Sequence, residues 1–426
     1  MNNYKILIGG YDFEQKIHRG ITFYGKALIK SLSKNELYLL TSSNFIEEKE
    51  LMYLNILKKL DDPESDLISS KKKLLKYLKF LMGESKQFVY KNYKRNLKEK
   101  LYYLNYIDYF YNISYLYDMS GVHNRFFVKK PLDIRINRKI EYLILTSPMN
   151  IKSNIPTIQT LHDVLPLTCI EHPPNDNAKI FYYRIKNMIK YSEKIISVSE
   201  FSKKECIKIF PEAEGKIEVT YQPIPIYEEE EEIANDKVVQ KSILEKFRLE
   251  KDGYLFFVGM LEKRKNIKLL IEAYLAVSDK IKIPLVLAGA LGYGNEEFVS
   301  YLKDKKYKQK IIYLNYISNI EKLVLLKNAR AFVFPSLNEG FGLPPLEAMR
   351  MGTPVLTSNI TALPEVCGDA ALLVNPYSLK ELADGLVEIS ENNILRENLL
   401  KNAPKQVEKF SYDNFKEKIN KVINLI

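Results

Sequence analysis

The chain has 426 residues, which is too long for one ordinary hydrophobic core, so two domains with sizeable interiors are expected. Its hydrophobic content of 46% and charged content of 27% exclude global disorder. The 64 Lys and Arg residues exceed the 53 Asp and Glu residues and give a net charge of +11. This charge favours anionic partners such as nucleotides, phospholipid surfaces, phosphorylated glycans or nucleic acid, without choosing among them.

Cysteine usage and hydropathy argue against a disulfide framework, a zinc site, a signal peptide and a membrane-spanning helix. Cys169, Cys206 and Cys367 are scattered and form no C-x-x-C pair, so the sequence supports neither a disulfide framework nor a zinc site. Residues 5–10 are apolar but too short for a signal peptide, and no run approaches the roughly eighteen uncharged residues of a spanning helix. We therefore expect a cytoplasmic protein.

The first elements predict a nucleotide-type βα domain. Residues 5–10 predict a buried strand that ends in glycines, residues 20–32 the following helix, and residues 36–41 a second strand. The glycine-containing loop between strand and helix has the spacing of neither a P-loop nor a G-x-G-x-x-G fingerprint. The loop alone therefore identifies no ligand.

The next segment, about residues 47–132, is rich in Lys, Tyr and Leu. The stretch that begins at Lys71 and ends at Met82 has apolar residues and lysines on opposite helical faces, which predicts a basic amphipathic helix. Such a helix either adsorbs to an anionic membrane or packs its apolar face on the domain. The tyrosines of residues 102–117 suit a carbohydrate or lipid-headgroup surface, and half-buried helix packing explains them equally well.

Strands are predicted again at residues 142–146, 157–163, 194–200 and 217–221. His162 and Asp163 end one of these runs, where an α/β sheet presents functional side chains, although an isolated His-Asp pair is more often structural. Ser199 and Ser202 are candidate helix N-caps.

A proline-rich stretch and five consecutive glutamates mark a linker at residues 226–243, with the acidic run predicted to be solvated. Strands at residues 254–260, 284–290, 311–317, 354–358 and 371–374 then predict a second doubly wound sheet. Arg264 and Lys265 follow the first of these strands and precede a predicted helix at about residues 269–276. There they are suited to grip a diphosphate, unless they are simply solvated.

The sequence PSLNEGFGLPPLEA, residues 335–348, links a strand at residues 331–334 to a helix. Glu339 and Glu347 can both face the carboxyl end of this strand, where open parallel sheets bind ligands. Gly340 and Gly342 permit close approach of a ligand, and the free amides at the helix start form an anion site. The alternative is an ordinary loop-to-helix turn with two solvated glutamates.

The sequence EGFGLPPLEAMRMGTPVLTS, followed by residues 362–366, 368–371 and 374–376, resembles the carboxyl-terminal half of family 4 retaining glycosyltransferases. The resemblance is strong over about residues 254–376, moderate over 155–225 and poor over 45–132. It implies the α/β GT-B fold, two doubly wound Rossmann-like domains facing a central cleft. The implied division is an acceptor domain at 1–225 with an insertion at about 47–132, a linker at 226–243, a donor domain at 244–408, and a helix at 409–426 that returns to the first domain.

The resemblance also implies residue roles. His162 would lie against the transferred sugar, Glu339 near the sugar hydroxyls, and Glu347 on the ribose hydroxyls, with His162 and Glu339 as the catalytic candidates. The loop that contains Arg19 would cover the donor phosphates. The implied donor-binding residues are Gly20, Arg264, Lys265, Glu339, Gly340, Phe341, Gly342, Leu343 and Glu347.

The relatives implied are bacterial O-antigen and capsule mannosyltransferases, so the expected reaction moves a hexose, with mannose favoured, from a nucleotide-diphosphate sugar to a growing lipid-linked surface glycan. GDP-mannose is the expected donor substrate. No cofactor is expected, and no D-x-D motif calls for a metal. Alternatives are a nucleotide-sugar epimerase or a phosphorylase of the same fold, or a noncatalytic scaffold with a donor-like pocket. No nucleic-acid recognition motif is present. The expected location is the cytoplasm, at the inner face of the cell membrane if residues 71–82 adsorb there.

Overall fold

The computed structural model describes residues 3–15, 20–44, 46–62, 70–81, 87–94, 97–136, 139–169, 178–292, 294, 299, 301, 304, 307 and 309–426. Within these ranges the chain forms an α/β architecture with one large sheet in each half and helices packed around them. The predicted fold class is confirmed. Arg19 and Met82 lie outside the described residues.

The first half is built on a largely parallel sheet, as its buried apolar strands favour. Its strands are β1 Lys5–Gly9, β2 Glu36–Thr41, β3 Gln87–Lys91, β4 Tyr109–Ile113, β5 Leu132–Ile134, β6 Tyr142–Leu145, β7 Ile151–Ser153, β8 Thr157–Leu161, β9 Lys194–Ser197 and β10 Ile217–Val219. Eight of them form the sheet in the order β10-β9-β8-β6-β1-β2-β4-β3, with only β3 antiparallel, and β5 pairs with β7 separately. From β1 the chain adds β2, β4 and β3 on one side and β6, β8, β9 and β10 on the other, so the strand order reverses between β1 and β6, which pair in parallel.

The helices of this half flank that sheet. They are α1 Gly20–Ser31, α2 Lys49–Asp61, α3 Ser70–Leu81, α4 Leu116–Phe126, α5 Leu165–Thr168, α6 Ala178–Tyr191 and α7 Glu200–Ile209, with 3-10 turns at Tyr11–Glu14, Glu99–Tyr106 and Pro211–Ala213. The core of this half contains the wholly buried strand residues Ile6, Ile8 and Leu39 with Leu28 of α1.

The second half is a six-stranded parallel sheet. Its strands are β11 Leu255–Val258, β12 Leu285–Ala288, β13 Ile311–Tyr313, β14 Ala331–Phe334, β15 Val355–Ser358 and β16 Ala371–Val374. Their order is β13-β12-β11-β14-β15-β16. This is the 3-2-1-4-5-6 order of the doubly wound nucleotide-binding folds, whose ligand crevice lies between the first and fourth strands at their carboxyl ends. The switch point here is therefore between β11 and β14.

Helices cover both faces of the second sheet and join the halves. They are α8 Glu228–Asn235, α9 Lys237–Phe247, α10 Ile267–Ile281, α11 Asn319–Asn328, α12 Leu343–Arg350, α13 Leu363–Cys367, α14 Leu379–Glu391, α15 Asn393–Glu408 and α16 Tyr412–Ile423, with 3-10 turns at Lys263–Lys265 and Gly368–Ala370.

The segment at 226–243 is helical, since it contains α8 and most of α9. Its acidic run is only partly solvated, which corrects the prediction. Glu230 accepts a hydrogen bond from Asn319 Nδ2 at 2.7 Å, and Glu231 accepts one from Arg350 Nη2 at 2.9 Å. The helix with its acidic first turn therefore docks on the second sheet's helices through these two glutamates.

The tyrosine-rich stretch at 102–117 is a second difference. Helix packing was one of its two interpretations, but its centre is β4, paired in parallel with β2. Tyr109 stacks on Tyr38 with ring centroids 4.8 Å apart, and Tyr111 is buried. Aromatic side chains favour a pleated surface, which explains why this segment extends the sheet.

The last helix, α16, crosses back to the first half. Phe415 of α16 is buried and packs edge-on against Tyr24 of α1 with ring centroids 5.5 Å apart. Lys30 of α1 lies over the ring of Tyr412 at 4.8 Å. The carboxyl-terminal helix is therefore part of the first domain's core.

We expect Phe415→Ala to lower the free energy of unfolding by about 3–5 kcal/mol, because it removes a buried ring and leaves a cavity beside Tyr24. Glu417→Ala, at an exposed position of the same helix, is the matched control. Urea unfolding followed by circular dichroism measures both. Equal stability of the two variants would contradict a core role for α16.

Candidate active site

The predicted site residues gather where the carboxyl ends of the two sheets meet. Arg264 and Lys265 follow β11, and Glu339 follows β14, so all three lie at the switch point of the second sheet. His162 follows β8 of the first sheet. A cavity of about 550 Å³ at the opposite, amino-terminal edge of the first sheet is lined by residues such as Lys34 and Lys91 and lies away from this region.

Glu339 is the centre of a buried charge cluster. Its side chain forms ion pairs with Lys265 and with Arg264, whose Nη1 lies 3.3 Å from Oε2. Ser336 Oγ donates to Oε1 at 2.7 Å, and Arg264 Nε also pairs with Glu262 at 2.8 Å. The two predicted phosphate-binding cations are therefore held in place by carboxylates.

Burial alone would raise the pKa of Glu339, but the charges of Lys265 and Arg264 outweigh burial and hold this pKa below its ordinary value. The carboxylate is thus ionised at neutral pH. Because both its oxygens are engaged by cations or by Ser336, Glu339 is a weak nucleophile.

The loop's backbone explains its glycines. Gly342 begins α12 with φ of +108°, a conformation that L side chains rarely adopt, and a Cβ there would lie 2.7 Å from Leu363. The next residue, Leu343, packs beside Gly20, whose ideal Cβ would lie 3.5 Å from Leu343 Cδ1. The amino ends of α1 and α12 therefore lie side by side at the cleft. Because Pro344 and Pro345 have no N–H, the backbone donors at the start of α12 are the amides of Gly342 and Leu343.

Phe341 is placed differently from its neighbours. Its ring packs with those of Phe410 and Tyr221, at centroid distances of 5.6 and 6.3 Å. This aromatic cluster joins the crossover from α15 to α16 with the strand end after β10. Donor contact by Phe341 is untested, and its side chain already has a structural role.

On the facing side, His162 is oriented by its hydrogen bond to the Thr146 carbonyl oxygen, at 2.8 Å from Nε2. A carbonyl only accepts, so Nε2 carries the proton and Nδ1 is the acceptor atom of the neutral ring. Burial lowers the pKa of His162, although Thr146 and Asp12 oppose the shift. The ring of Tyr24 packs edge-on against it at 5.2 Å.

Asp12 supports this arrangement and was not identified from the sequence. Its Oδ2 accepts hydrogen bonds from Thr146 Oγ1 at 2.6 Å and Ser147 Oγ at 3.0 Å. These residues follow β1 and β6, the switch point of the first sheet. Asp12 therefore braces the loop whose carbonyl orients His162.

The two halves meet at Gly340. A Cβ at this position would lie 2.6 Å from both Asp163 Cβ and the His162 carbonyl oxygen. The Gly340 carbonyl accepts a hydrogen bond from Ser199 Oγ at 2.6 Å, and Ser202 Oγ lies 3.0 Å from it. The serines predicted as N-caps thus also join the first half to the glycine loop, while Ser199 caps α7 as expected.

Glu347 lies on α12, buried, with Oε1 2.6 Å from Lys322 Nζ. Lys322 was also not identified, because nothing in the local sequence of α11 indicates this contact. Across the described ranges, no group of three or more His, Cys, Asp or Glu side chains could hold a metal ion. Metal independence stays a prediction.

Comparisons with known proteins show the family. Residues 239–406 match the family described as glycosyl transferases group 1. The chain is 31% identical over 259 residues to the O-antigen chain mannosyltransferase B of Escherichia coli, which covers 60% of this chain and 67% of that protein. It is 30% identical over 268 residues to the serotype-specific mannosyltransferase WbdA of Escherichia coli, covering 61% of this chain and only 32% of WbdA.

Solved structures match nearly the whole chain at low identity. The Anabaena protein Alr3699/HepE in complex with UDP and glucose superposes with a TM-score of 0.62 at 12% identity, covering 100% of both chains. WaaG, a glycosyltransferase involved in lipopolysaccharide biosynthesis, gives a TM-score of 0.60 at 11% identity over 98% of this chain and 99% of its own. These matches confirm the GT-B fold.

We expect the ionisation of Glu339 to make the free energy of unfolding depend on pH in the acidic range. Its folded-state pKa lies below the ordinary value of 4.5, so its stabilising contribution is present above 4.5 and is lost as pH falls through the folded-state pKa. Glu339→Gln removes this titration and leaves buried Lys265 without its carboxylate, while Arg264 keeps Glu262. The cost is about 3–5 kcal/mol near neutral pH. The difference in free energy of unfolding between wild type and variant should therefore shrink below pH 4.5.

Urea unfolding at a series of pH values from neutral to strongly acidic measures this gap, with the exposed change Glu417→Gln as control. A gap that stays constant across the series would show that Glu339 is not stabilised as an anion by Lys265 and Arg264.

Proposed function

The chain belongs to the group 1 glycosyl transferases, and on this premise we propose that it transfers a hexose, with mannose favoured, from a nucleotide-diphosphate sugar to a growing, lipid-linked surface glycan. The names of the relatives in O-antigen assembly support mannose and a surface glycan. The preferred donor substrate is GDP-mannose, with no cofactor. The epimerase, phosphorylase and scaffold alternatives have no observation in their favour.

The observation that carries the proposal is the convergence at Gly340. One side supplies Arg264, Lys265 and the amide end of α12, which suit a diphosphate. The other side supplies His162, whose Nδ1 can accept a hydrogen bond from a sugar hydroxyl. A nucleotide sugar laid between them would place its anomeric carbon between phosphate-binding groups and the face from which an acceptor enters.

When the sugar-phosphate bond breaks, positive charge develops on the anomeric carbon and negative charge on the leaving phosphate. Lys265 and Arg264 both pair with Glu339, so we expect the diphosphate to compete with this carboxylate for them. Each charge-assisted hydrogen bond contributes about 1.5–3 kcal/mol. If three such contacts act only in the transition state, they raise the rate by several factors of ten.

We further propose retention of the anomeric configuration, as in family 4, without a metal. Glu339 is too tightly paired to act as a covalent nucleophile, which favours attack on the same face as the leaving group. The acceptor oxygen forms the new bond to the anomeric carbon, the old bond's electron pair passes to the phosphate, and a phosphate oxygen takes the acceptor's proton. Positioning and electrostatics would then supply most of the catalysis.

The first test is a thermal-shift titration with GDP, UDP, TDP and their common sugar conjugates. We expect GDP to raise the Tm of the wild type, because a ligand at 100 times its Kd stabilises the folded state by about 2.7 kcal/mol. Glu347→Gln should lose most of this rise, and the exposed change Glu397→Gln should keep it. An equal rise in wild type and Glu347→Gln would contradict the ribose role, and a rise with UDP alone would replace GDP as the donor nucleotide.

Donor and a lipid-linked acceptor glycan, incubated with the enzyme, then test the reaction itself. Transfer of the sugar supports the proposal. An epimerised sugar formed from donor without acceptor would support the epimerase instead.

The membrane proposal rests on α3. Leu74, Leu75 and Leu78 are 43%, 57% and 48% exposed, so about half of each leucine is open to solvent. A buried contact of α3 is made by Tyr77, whose hydroxyl lies 2.7 Å from His123 Nδ1. We propose that the leucines insert into the interface of an anionic bilayer, with the exposed Lys79 near its headgroups.

No helix in the described part of the chain is long and apolar enough to cross a membrane. A surface contact is therefore the form of membrane association that α3 supports. It would hold the enzyme at the inner face of the cell membrane, beside a lipid-linked acceptor.

Replacing Leu74, Leu75 and Leu78 together by Ser should weaken binding to vesicles of phosphatidylglycerol and phosphatidylcholine roughly 100-fold, since each inserted leucine contributes on the order of 1 kcal/mol. Co-sedimentation measures the binding. Ile394→Ser, at a position on α15 that is 72% exposed, is the control and should bind as the wild type does. Unchanged binding of the triple variant would rule out insertion of α3.

A further inference from the structure

The carboxylate of Glu347 depends on a single cation. Its side chain is 6% exposed and that of Lys322 is 18% exposed, with Oε1 and Nζ 2.6 Å apart. A carboxylate this enclosed is costly unless a cation compensates it. Lys322 therefore compensates the enclosed carboxylate and determines which way it turns.

The backbone that carries Lys322 is itself fixed. Ser318 and Glu321 form a capping box at the start of α11, in which Glu321 Oε2 accepts from the Ser318 amide at 2.7 Å and Ser318 Oγ accepts from the Glu321 amide at 3.3 Å. Glu321 also pairs with Lys246 of α9. Lys322 is the next residue, so the ammonium is presented from a helix turn with little freedom.

The second oxygen of Glu347 is left for a ligand. Oε2 makes no hydrogen bond to any residue within the described ranges, and it is not among the buried polar atoms that lack a partner. It therefore keeps contact with solvent in the cleft. One oxygen is occupied by Lys322 while the other can accept hydrogen bonds.

We propose that Lys322 is the positioning residue of the nucleotide's ribose site: it holds Oε1 of Glu347 and so aims Oε2 at the ribose hydroxyls. This inference rests on the proposed function, in which the donor is a nucleotide-diphosphate sugar. The vicinal hydroxyls of ribose are donors that a free carboxylate oxygen accepts. Every ribonucleotide carries them, so the role of Lys322 does not depend on the base.

The test compares GDP with 2′,3′-dideoxy-GDP by isothermal titration calorimetry. Wild type should bind GDP about tenfold more tightly than 2′,3′-dideoxy-GDP, because the dideoxy ligand lacks the hydroxyls that hydrogen-bond to the charged Glu347 oxygen. Lys322→Met should reduce this ratio to within about threefold, chiefly by weakening GDP, because Glu347 is no longer aimed. A general loss of structure would weaken both ligands and leave the ratio unchanged.

Two variants complete the design. Lys322→Arg keeps the cation and should keep most of the ratio, so the proposal stays testable if Lys322→Met folds poorly. Lys310→Met breaks an ion pair to Asp279 that plays no part in holding Lys322, and it should leave the ratio at its wild-type value.

The outcomes separate this proposal from the function it rests on. A wild-type ratio retained by Lys322→Met would overturn the role of Lys322 alone. A wild type that does not distinguish the two ligands would overturn the ribose role of Glu347 and, with it, the role of Lys322. If the protein binds UDP and not GDP, the comparison is made between UDP and 2′,3′-dideoxy-UDP. The same ratios of Kd then test the role of Lys322. Binding of neither nucleotide would overturn the proposed function and this role together.

Discussion

The missing side chain of Gly340 is the constraint on which the site depends. Any Cβ there would enter the space of Asp163 and the His162 carbonyl, both 2.6 Å away. Because this position is bare, the loop after β14 touches the strand end after β8, and Ser199 can bond the loop's carbonyl. The charges of one sheet and the histidine of the other therefore share a single cleft rather than two separate surfaces.

The charges in this cleft are compensated by ion pairs, and each ion pair leaves a different hydrogen-bonding group available to a ligand. Glu339 is saturated by Lys265, Arg264 and Ser336, so what it leaves available is the remaining donors of the cations. Glu347 is held at one oxygen by Lys322, so what it leaves available is an acceptor. The first pair thus suits an anion and the second a hydroxyl, which are the two chemistries that a nucleotide diphosphate presents.

The sequence predicted most of the architecture because buried parallel strands are short apolar runs. β14 and β16 were predicted with their observed bounds, whereas β8 and β9 end earlier than expected. For β9 the reason is that Ser199 leaves the strand to cap α7. β4 was harder because its tyrosines fit a helix face as well as a pleated one. Asp12 and Lys322 could not be found, because their partners are 134 residues away at Thr146 and 25 residues away at Glu347, and no local pattern encodes such contacts.

The return of α16 to the first domain has a consequence for how the protein is made. Tyr24 leaves the ribosome well before Phe415, which covers it, because β2 to β16 lie between them in the sequence. At translation rates of about 5–20 residues per second the interval is on the order of tens of seconds. Throughout that time the nascent first domain has an uncovered aromatic groove beside α1, which makes it a natural client for a chaperone that binds apolar surface until the last helix arrives.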